Sequence, residues 1–373
     1  MKKELGISVL LVALAVLVAI LEPNFLQPNN ILAMLSRISM YGIFSIGCGI
    51  VIITGGIDLS IGSMFALLGV VLVALLRQYN WPWPLAVTAV TAGCMGLGAI
   101  HGVLVTGTRF KPWIVILCGS PFFGVVVVIL MRYYHWPWYQ AVLAVAAGFG
   151  ALLGILCSGV RLQPFIVTLC GLLIYRSQAR YLASEHDVGF GDKTFGWLET
   201  LTRGRIAVLG RYEIPAAFIV LLAVAAIMWV VLHWSIYGRY LYAVGRNEEA
   251  ARFSGINTKL VIGSAYVVGM ILTAIAGVLF VFDIRSVTPT SFGQSYELYG
   301  IAAAVLGGCS LRGGEGSILG IVLGAALLQL LMNLVNLLNF PSCQEGAVMG
   351  VVILIGVTFD QFLASRKRAV AGG

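Results

Sequence analysis

The chain has 373 residues, of which 60% are hydrophobic and only 10% are charged, with a formal net charge of +8. Soluble domains average about 25% charged residues, so this composition excludes a soluble globular protein. The positive charge requires no nucleic acid, because basic residues gather at the cytoplasmic edges of membrane proteins.

Long apolar runs recur along the whole chain. A membrane-spanning helix needs roughly 17 to 25 mainly apolar residues, since the hydrocarbon layer is about 30 Å thick. The sequence predicts an all-α, polytopic helical membrane protein with a single permease domain over residues 1–373 and about 12 transmembrane helices. The runs are 6–21, 38–54, 61–76, 84–105, 113–131, 141–159, 164–182, 214–232, 260–282, 298–308, 317–332 and 346–359.

The N-terminal run is predicted to be an anchor. Lys2 and Lys3 precede an apolar stretch, as in a signal peptide, but the following Glu22-Pro23-Asn24-Phe25 offers no small-residue cleavage site. The positive-inside rule places both termini in the cytoplasm, where Arg366-Lys367-Arg368 would close the last helix.

A tandem duplication lies in the middle of the chain. The segment 98–119, GAIHGVLVTGTRFKPWIVILCG, matches 150–171, GALLGILCSGVRLQPFIVTLCG, at a constant offset of 52 residues. We assign the two copies to 81–131 and 133–183, each a predicted pair of helices joined by a basic inner turn. Such a pair crosses the membrane twice and therefore preserves the topology of the helices C-terminal to it.

The two copies differ after their shared glycine. The second continues into Tyr175-Arg176-Ser177-Gln178, whereas the first continues into a wholly apolar stretch, 121–130. We therefore expect the second copy to take part in the transport machinery. The first is expected to be an addition that faces lipid or a partner.

Two glycine-rich segments interrupt the apolar pattern. Non-helical backbone at membrane depth is tolerated only when it is buried in protein or lines a polar cavity. In 54–63, TGGIDLSIGS, Asp58 either caps the next helix or contacts a solute, and Ser60 lies beside it. The second segment, 306–317, is favoured as a cytoplasmic turn.

Other polar residues lie within or beside apolar runs. Intramembrane polar groups usually face the bundle interior, where they contact a substrate or a neighbouring helix. Asn336 has an alternative place at the outer membrane interface. The candidates for the translocation pathway are Asp58, Ser60, Gln294, Asn333 and Asn336.

The loop 234–259 carries the clearest local signals. Asn247 is a favoured N-cap, Glu248 and Glu249 suit the positive first turn of a helix, and Gly255 is placed to end it. We predict a short docking helix in a cytoplasmic coupling loop. On the other side of the membrane, the stretch 184–213 is predicted to be a periplasmic loop.

This coupling loop resembles that of the ribose- and xylose-type permeases of ABC importers. Further blocks resemble the same family in family order: 55–63, 161–169, 296–298 and 306–314. Arg246, Arg312 and Glu315 depart from the family pattern. The extra 52-residue unit also exceeds the family's usual plan of about ten helices.

The resemblance implies the membrane-spanning subunit of an importer in the bacterial inner membrane, moving a ribose-like pentose, a hexose or a related solute. It implies separate ABC ATPase subunits, a second permease copy or paralogue and an extracytoplasmic solute-binding protein as partners, with the chain itself embedded in the lipid bilayer. The implied ATPase-coupling residues are Gly238, Arg239, Gly245, Asn247, Glu248, Glu249, Ala250, Ala251 and Gly255.

Other chemistries find little support in the sequence. A GxxxxGK[ST] phosphate loop is absent, so we predict no ATPase site in this chain. The seven cysteines form no CxxC pair and the four histidines no metal spacing, so neither a catalytic group, a cofactor nor a metal is expected. The alternative is an ion-coupled secondary transporter, although Asp58, Arg176 and Asp283 fall near predicted helix ends rather than within helices.

Overall fold

The computed structural model describes residues 2–107, 161–208 and 212–338, together with a few isolated positions between 344 and 358. Within these ranges, seven helices are long and apolar enough to cross a membrane. The prediction of a polytopic helical membrane protein is thereby confirmed. The predicted runs 113–131 and 141–159 lie outside the described residues, as does most of 346–359.

The described chain divides into two compact units. Unit 1 comprises residues 1–56, 196–251 and 295–373, and unit 2 comprises 57–195 and 252–294.

Unit 1 is built around one long buried helix. Helices α1 (Lys2–Leu21) and α2 (Pro28–Ile53) are joined by a 3-10 turn, Pro23–Leu26. Every residue of α2 from Ile38 onward is buried. The helix begins ten residues before the predicted run 38–54, because Pro28 occupies its first position, where a missing N–H costs nothing.

The second segment of unit 1 contains the short helix α6 (Trp197–Arg203) and a hairpin of β2 (Arg205–Val208) and β3 (Tyr212–Pro215). The next helix, α7 (Ala216–Trp234), begins two residues later than predicted, because Ile214 and Pro215 belong to the hairpin. Helices α8 (Ile236–Arg246) and α9 (Glu248–Phe253) follow, and the border between the units falls within α9, after Ala251.

Small residues allow the last two helices of unit 1 to pack closely. Helix α11 (Tyr296–Leu306) is short, as predicted, and α12 (Ile318–Leu337) lies against it and against α2. A Cβ atom added to Gly320 would lie 2.1 Å from the carbonyl oxygen of Gly307, and one added to Gly324 2.1 Å from that of Ala303. Backbone-to-backbone approach of this kind is typical of GxxxG helix pairs in membranes.

Unit 2 places four helices around a short strand pair. They are α3 (Ile61–Val73, extended by a π turn to Gln78), α4 (Trp83–Thr106), α5 (Pro164–Leu182) and α10 (Thr258–Ile284). Helix α4 lies along α10, where a Cβ atom added to Gly102 would meet the Cα atom of Gly263 at 2.7 Å. Strand β1 (Val188–Gly189) pairs antiparallel with β4 (Ser286–Val287).

Candidate coupling surface and translocation residues

The predicted coupling loop contains two helices rather than one. Helix α8 begins at Ile236, and the Ser235 hydroxyl accepts a hydrogen bond from the Gly238 N–H at 3.1 Å. Gly238 has no room for a side chain, because an added Cβ would lie 1.9 Å from the Leu232 carbonyl oxygen. The predicted coupling residue Arg239 is exposed on this helix.

Helix α9 has the ends that the sequence predicts. The Asn247 side-chain oxygen accepts from the Ala250 N–H at 2.9 Å, which makes Asn247 its N-cap. Glu248 and Glu249 occupy the first turn, and Ala251 is buried beneath it. Gly255 adopts a left-handed conformation with φ of +84° and ends the helical stretch, as expected for a helix C-terminus.

The last residue of α9 presents an aromatic ring to solvent. Phe253 is 82% exposed, and the Arg252 guanidinium lies 5.6 Å from the centre of its ring. A water-exposed aromatic side chain next to a cation is typical of the contact residues that anchor protein interfaces. No role for Phe253 was predicted from the sequence, although a large apolar residue in a short helix that begins with two glutamates was a usable signal.

Four glycines from three segments of unit 1 meet at one point, which we call the glycine junction: Gly55, Gly245, Gly313 and Gly314. The Gly314 N–H donates a hydrogen bond to the Ile53 carbonyl at 2.8 Å, which joins the turn before α12 to the end of α2. A Cβ atom added to Gly245 would lie 1.8 Å from that same carbonyl oxygen. The end of helix α8 is therefore in backbone contact with both glycine-rich segments.

A tyrosine supports the glycine junction from α8. The Tyr242 hydroxyl donates a hydrogen bond to the Gly316 carbonyl at 2.7 Å. Burial raises the pKa of Tyr242 to about 12, with smaller contributions from Cys309 and Glu4. The hydroxyl therefore keeps its proton at physiological pH and remains a donor.

The break before α3 is ordered by Asp58, which is only 3% exposed. One carboxylate oxygen accepts from the Ser60 N–H at 2.9 Å and from the Ser60 hydroxyl at 2.6 Å. Asp58 thus holds Ser60, the residue that precedes α3. This contact is close to the capping role that the sequence offered as one alternative for Asp58. Its second oxygen has no hydrogen-bond partner among the described residues.

Asp58 belongs to a buried polar cluster that the sequence did not predict, formed with Ser60, His101, Tyr175 and Tyr266. The Tyr175 hydroxyl and the His101 Nε2 atom lie 2.9 Å apart, and the ring of Tyr266 stands perpendicular to that of His101. Asp58 lies near enough to interact electrostatically with His101 and both tyrosines. Among the described residues, His101 Nδ1 and the Tyr266 hydroxyl lack a hydrogen-bond partner.

Of the five predicted pathway residues, Asp58 and Ser60 are hydrogen-bonded to each other. Gln294 lies exposed in unit 2, and Asn336 lies exposed near the end of α12 in unit 1. The Asn333 amide bonds reciprocally with that of Asn30 on α2, at 3.2 and 2.8 Å. Asn333 therefore has a helix-pairing contact.

This asparagine pair gives a first prediction. Interhelical side-chain hydrogen bonds in membranes contribute about 0.6 kcal/mol on average and at most about 1.7 kcal/mol. We expect Asn30→Ala and Asn333→Ala each to lower the melting temperature in detergent, and the double variant to lower it by less than the sum. Additive losses would contradict the pairing, and loss of solute uptake with unchanged melting would instead assign Asn333 to the pathway.

Comparison with known proteins places these features in a family. The family described as branched-chain amino acid transport system / permease component matches residues 117–357. A ribose import permease protein of Escherichia coli (strain K12) is 34% identical over 358 residues, covering 94% of this chain and 92% of the relative. The ribose import permease protein of Bacillus subtilis (strain 168) is 32% identical, covering 96% and 93%.

A xylose transport system permease protein of Haemophilus influenzae is 30% identical over 369 residues and covers 96% of each chain. No solved structure matches. The chain therefore belongs to this family of transport-system permease components and is the membrane-spanning subunit of an ABC importer in the cytoplasmic membrane.

Proposed function

We propose that this permease imports a sugar, in the class of ribose-like pentoses, hexoses and related solutes. The observation that carries the proposal is helix α9, which is capped and exposed. It occurs in a chain whose full-length relatives are named for ribose and xylose import. The family description names branched-chain amino acids, but it covers a shorter part of the chain than these relatives do.

The proposed assembly contains two copies of this chain, or one copy and a paralogue, docked on two ATPase subunits that supply ATP hydrolysis. The coupling loop 234–259 and both termini face the cytoplasm, and the loop 184–213 faces the periplasm and receives the solute-binding protein. The chain crosses the membrane about twelve times, two of these crossings arising from the duplication. Its docking surface consists of the exposed side of α9 together with Arg239 in α8, and Gly238 and Gly245 contribute through close backbone packing of α8.

The glycine junction would carry motion from the ATPases into the membrane helices. Closure of the ATPase pair on ATP displaces α9, and α8 transmits this displacement because the two helices are separated only by Asn247. At Gly245 the end of α8 is in backbone contact with the end of α2 and with the turn before α12. At these contacts the backbones touch without an intervening side chain, so a displacement of α8 is passed directly to the segments that it contacts.

The solute pathway is proposed to involve Asp58 and Ser60, with Gln294, Asn333 and Asn336 as further candidates. The free carboxylate oxygen of Asp58 is an acceptor suited to a solute hydroxyl, whereas the Ser60 hydroxyl is already bonded to Asp58.

Uptake of radiolabelled D-ribose, D-xylose and L-leucine by cells expressing the chain tests the proposal. We expect one of the two sugars to accumulate, and the accumulation to stop when the partner ATPase gene is deleted. Leucine uptake in place of sugar uptake would overturn the sugar assignment. Uptake that persists without the ATPase and collapses with an uncoupler would instead establish an ion-coupled transporter.

A further inference from the structure

Unit 2 contains a pair of contacting helices, α4 and α5, that takes one helix from each copy of the duplication. Helix α4, Trp83–Thr106, lies in the first copy, 81–131, and α5, Pro164–Leu182, lies in the second copy, 133–183. They are the first helix of one copy and the second helix of the other.

These two helices are joined by a backbone hydrogen bond and by a close contact at a glycine. The Leu162 N–H, just before α5, donates a hydrogen bond to the Leu104 carbonyl in α4 at 2.9 Å. Further along, a Cβ atom added to Gly171 would lie 2.8 Å from the His101 Nε2 atom, so the helices touch where glycine permits it. The hydrogen bond between His101 and Tyr175 completes the contact.

The sequences of the two copies also differ at residues that make contacts on α4 and α5. At the offset of 52 residues, four of the hydrogen-bonding residues on α4 and α5 have counterparts without a side-chain hydrogen-bonding group. The pairs are His101 with Leu153, Thr168 with Ile116, Tyr175 with Phe123 and Arg176 with Gly124.

The polar residues on α5 make contacts that these counterparts are chemically unable to make. The Arg176 guanidinium donates to the Phe292 carbonyl at 2.6 Å and to the Pro289 carbonyl at 3.2 Å. The Thr168 hydroxyl lies 3.3 Å from the Ile57 carbonyl, beside the break that contains Asp58. A polar side chain in a membrane helix is energetically costly unless it is hydrogen-bonded. The presence of these polar side chains on one helix of each copy therefore indicates that these two helices take part in transport.

We propose that the transport core of this permease uses the hybrid pair of α4 and α5, with His101 and Tyr175 as positioning residues, and that it works without residues 108–159. This inference rests on the proposed function for its uptake readout. It differs from the expectation that the first copy is an addition facing lipid or a partner, because α4 of the first copy supplies His101 to the buried polar cluster.

Two deletions of equal length test the proposal, because each removes one repeat length of 52 residues. Deleting 108–159 joins Gly107 to Val160 and keeps both His101 and Tyr175. Deleting 98–149 joins Leu97 to Gly150 and places Leu153 where His101 stood. The two products are identical except that one has 98–107 where the other has 150–159. These two segments differ by conservative substitutions and by the histidine at position 101.

We expect the chain lacking 108–159 to insert and to import the transported sugar at a rate comparable with the full-length chain. The chain lacking 98–149 should insert equally well but import at least tenfold more slowly, and Leu153→His within it should restore import. Loss of insertion or import on deletion of 108–159 would overturn the proposal, as would equal import by both deletions.

A second readout separates this inference from the proposed function. The melting temperature of the purified chain in detergent requires no solute, and it should be close to the full-length value after deletion of 108–159. A full-length chain that imports neither ribose, xylose nor any other pentose or hexose would refute the proposed function alone. A large fall in the melting temperature of the 108–159 deletion would refute the hybrid pair alone.

Discussion

Gly245→Ala is expected to abolish solute uptake while the chain still inserts into the membrane. The new methyl group would lie 1.8 Å from the Ile53 carbonyl oxygen and 2.5 Å from the Gly314 nitrogen, both backbone atoms with no rotamer to change. Overpacking of a well-packed site typically costs about 1–3 kcal/mol, and a contact with backbone lies at the upper end. The end of α8 must therefore separate from α2 and from the turn before α12, which breaks the proposed path of transmission.

Uptake and ATP hydrolysis, measured together, distinguish transmission from folding. In membranes with equal amounts of chain, Gly245→Ala should still bind the ATPase through α9 but should no longer link hydrolysis to uptake. Gly6→Ala is the matched control, because a Cβ atom at Gly6 meets no atom within 4 Å. Tyr242→Phe removes only the hydrogen bond to Gly316 and should slow uptake less. Normal uptake by Gly245→Ala would contradict the role of the glycine junction.

Local signals predicted both ends of α9 correctly. The N-cap, the acidic first turn and the terminating glycine of α9 all depend on residues within a few positions of one another, so Asn247 and Gly255 could be read directly from the sequence. The same applies to most long helices, whose apolar runs are continuous. The start of α2 was missed because its first turns carry Asn29 and Asn30, which interrupt the apolar pattern without breaking the helix.

Contacts between distant segments were not predictable from the sequence in the same way. The glycine junction joins residues near positions 55, 245 and 313, and nothing in any one segment indicates the other two. The pairing of Asn333 with Asn30 likewise depends on how α2 and α12 pack. The buried polar cluster had one signal, since His101 is an ionisable residue within an apolar run, but its partners Tyr175 and Tyr266 come from other helices.

Changing the exposed surface of α9 is expected to abolish uptake by uncoupling the chain from its ATPase. Phe253 is 82% exposed, and an aromatic side chain left in water at a proposed interface is a candidate hot spot, where truncation costs about 2 kcal/mol or more of binding free energy. We expect Phe253→Ala to weaken copurification of the ATPase by at least about tenfold, since about 1.4 kcal/mol corresponds to a factor of ten.

Charge reversal on the same helix tests docking by a separate route. Glu248→Lys with Glu249→Lys places two cations in the first turn, where the helix N-terminus is already positive, and reverses the field that a docked partner meets. Both changes lie outside the seven helices long enough to span the membrane, so the amount of inserted chain should not fall.

Ile20→Ala provides the matched control for Phe253→Ala. Ile20 is 73% exposed, but it lies on the membrane-length helix α1, far along the chain from the coupling loop. Its truncation should leave both ATPase copurification and uptake unchanged, because exposure on such a helix is expected where the surroundings are lipid. If the two α9 variants still copurify with the ATPase and import solute at the normal rate, α9 is not the docking element. A loss of uptake with intact copurification would instead assign α9 to transmission, together with the glycine junction.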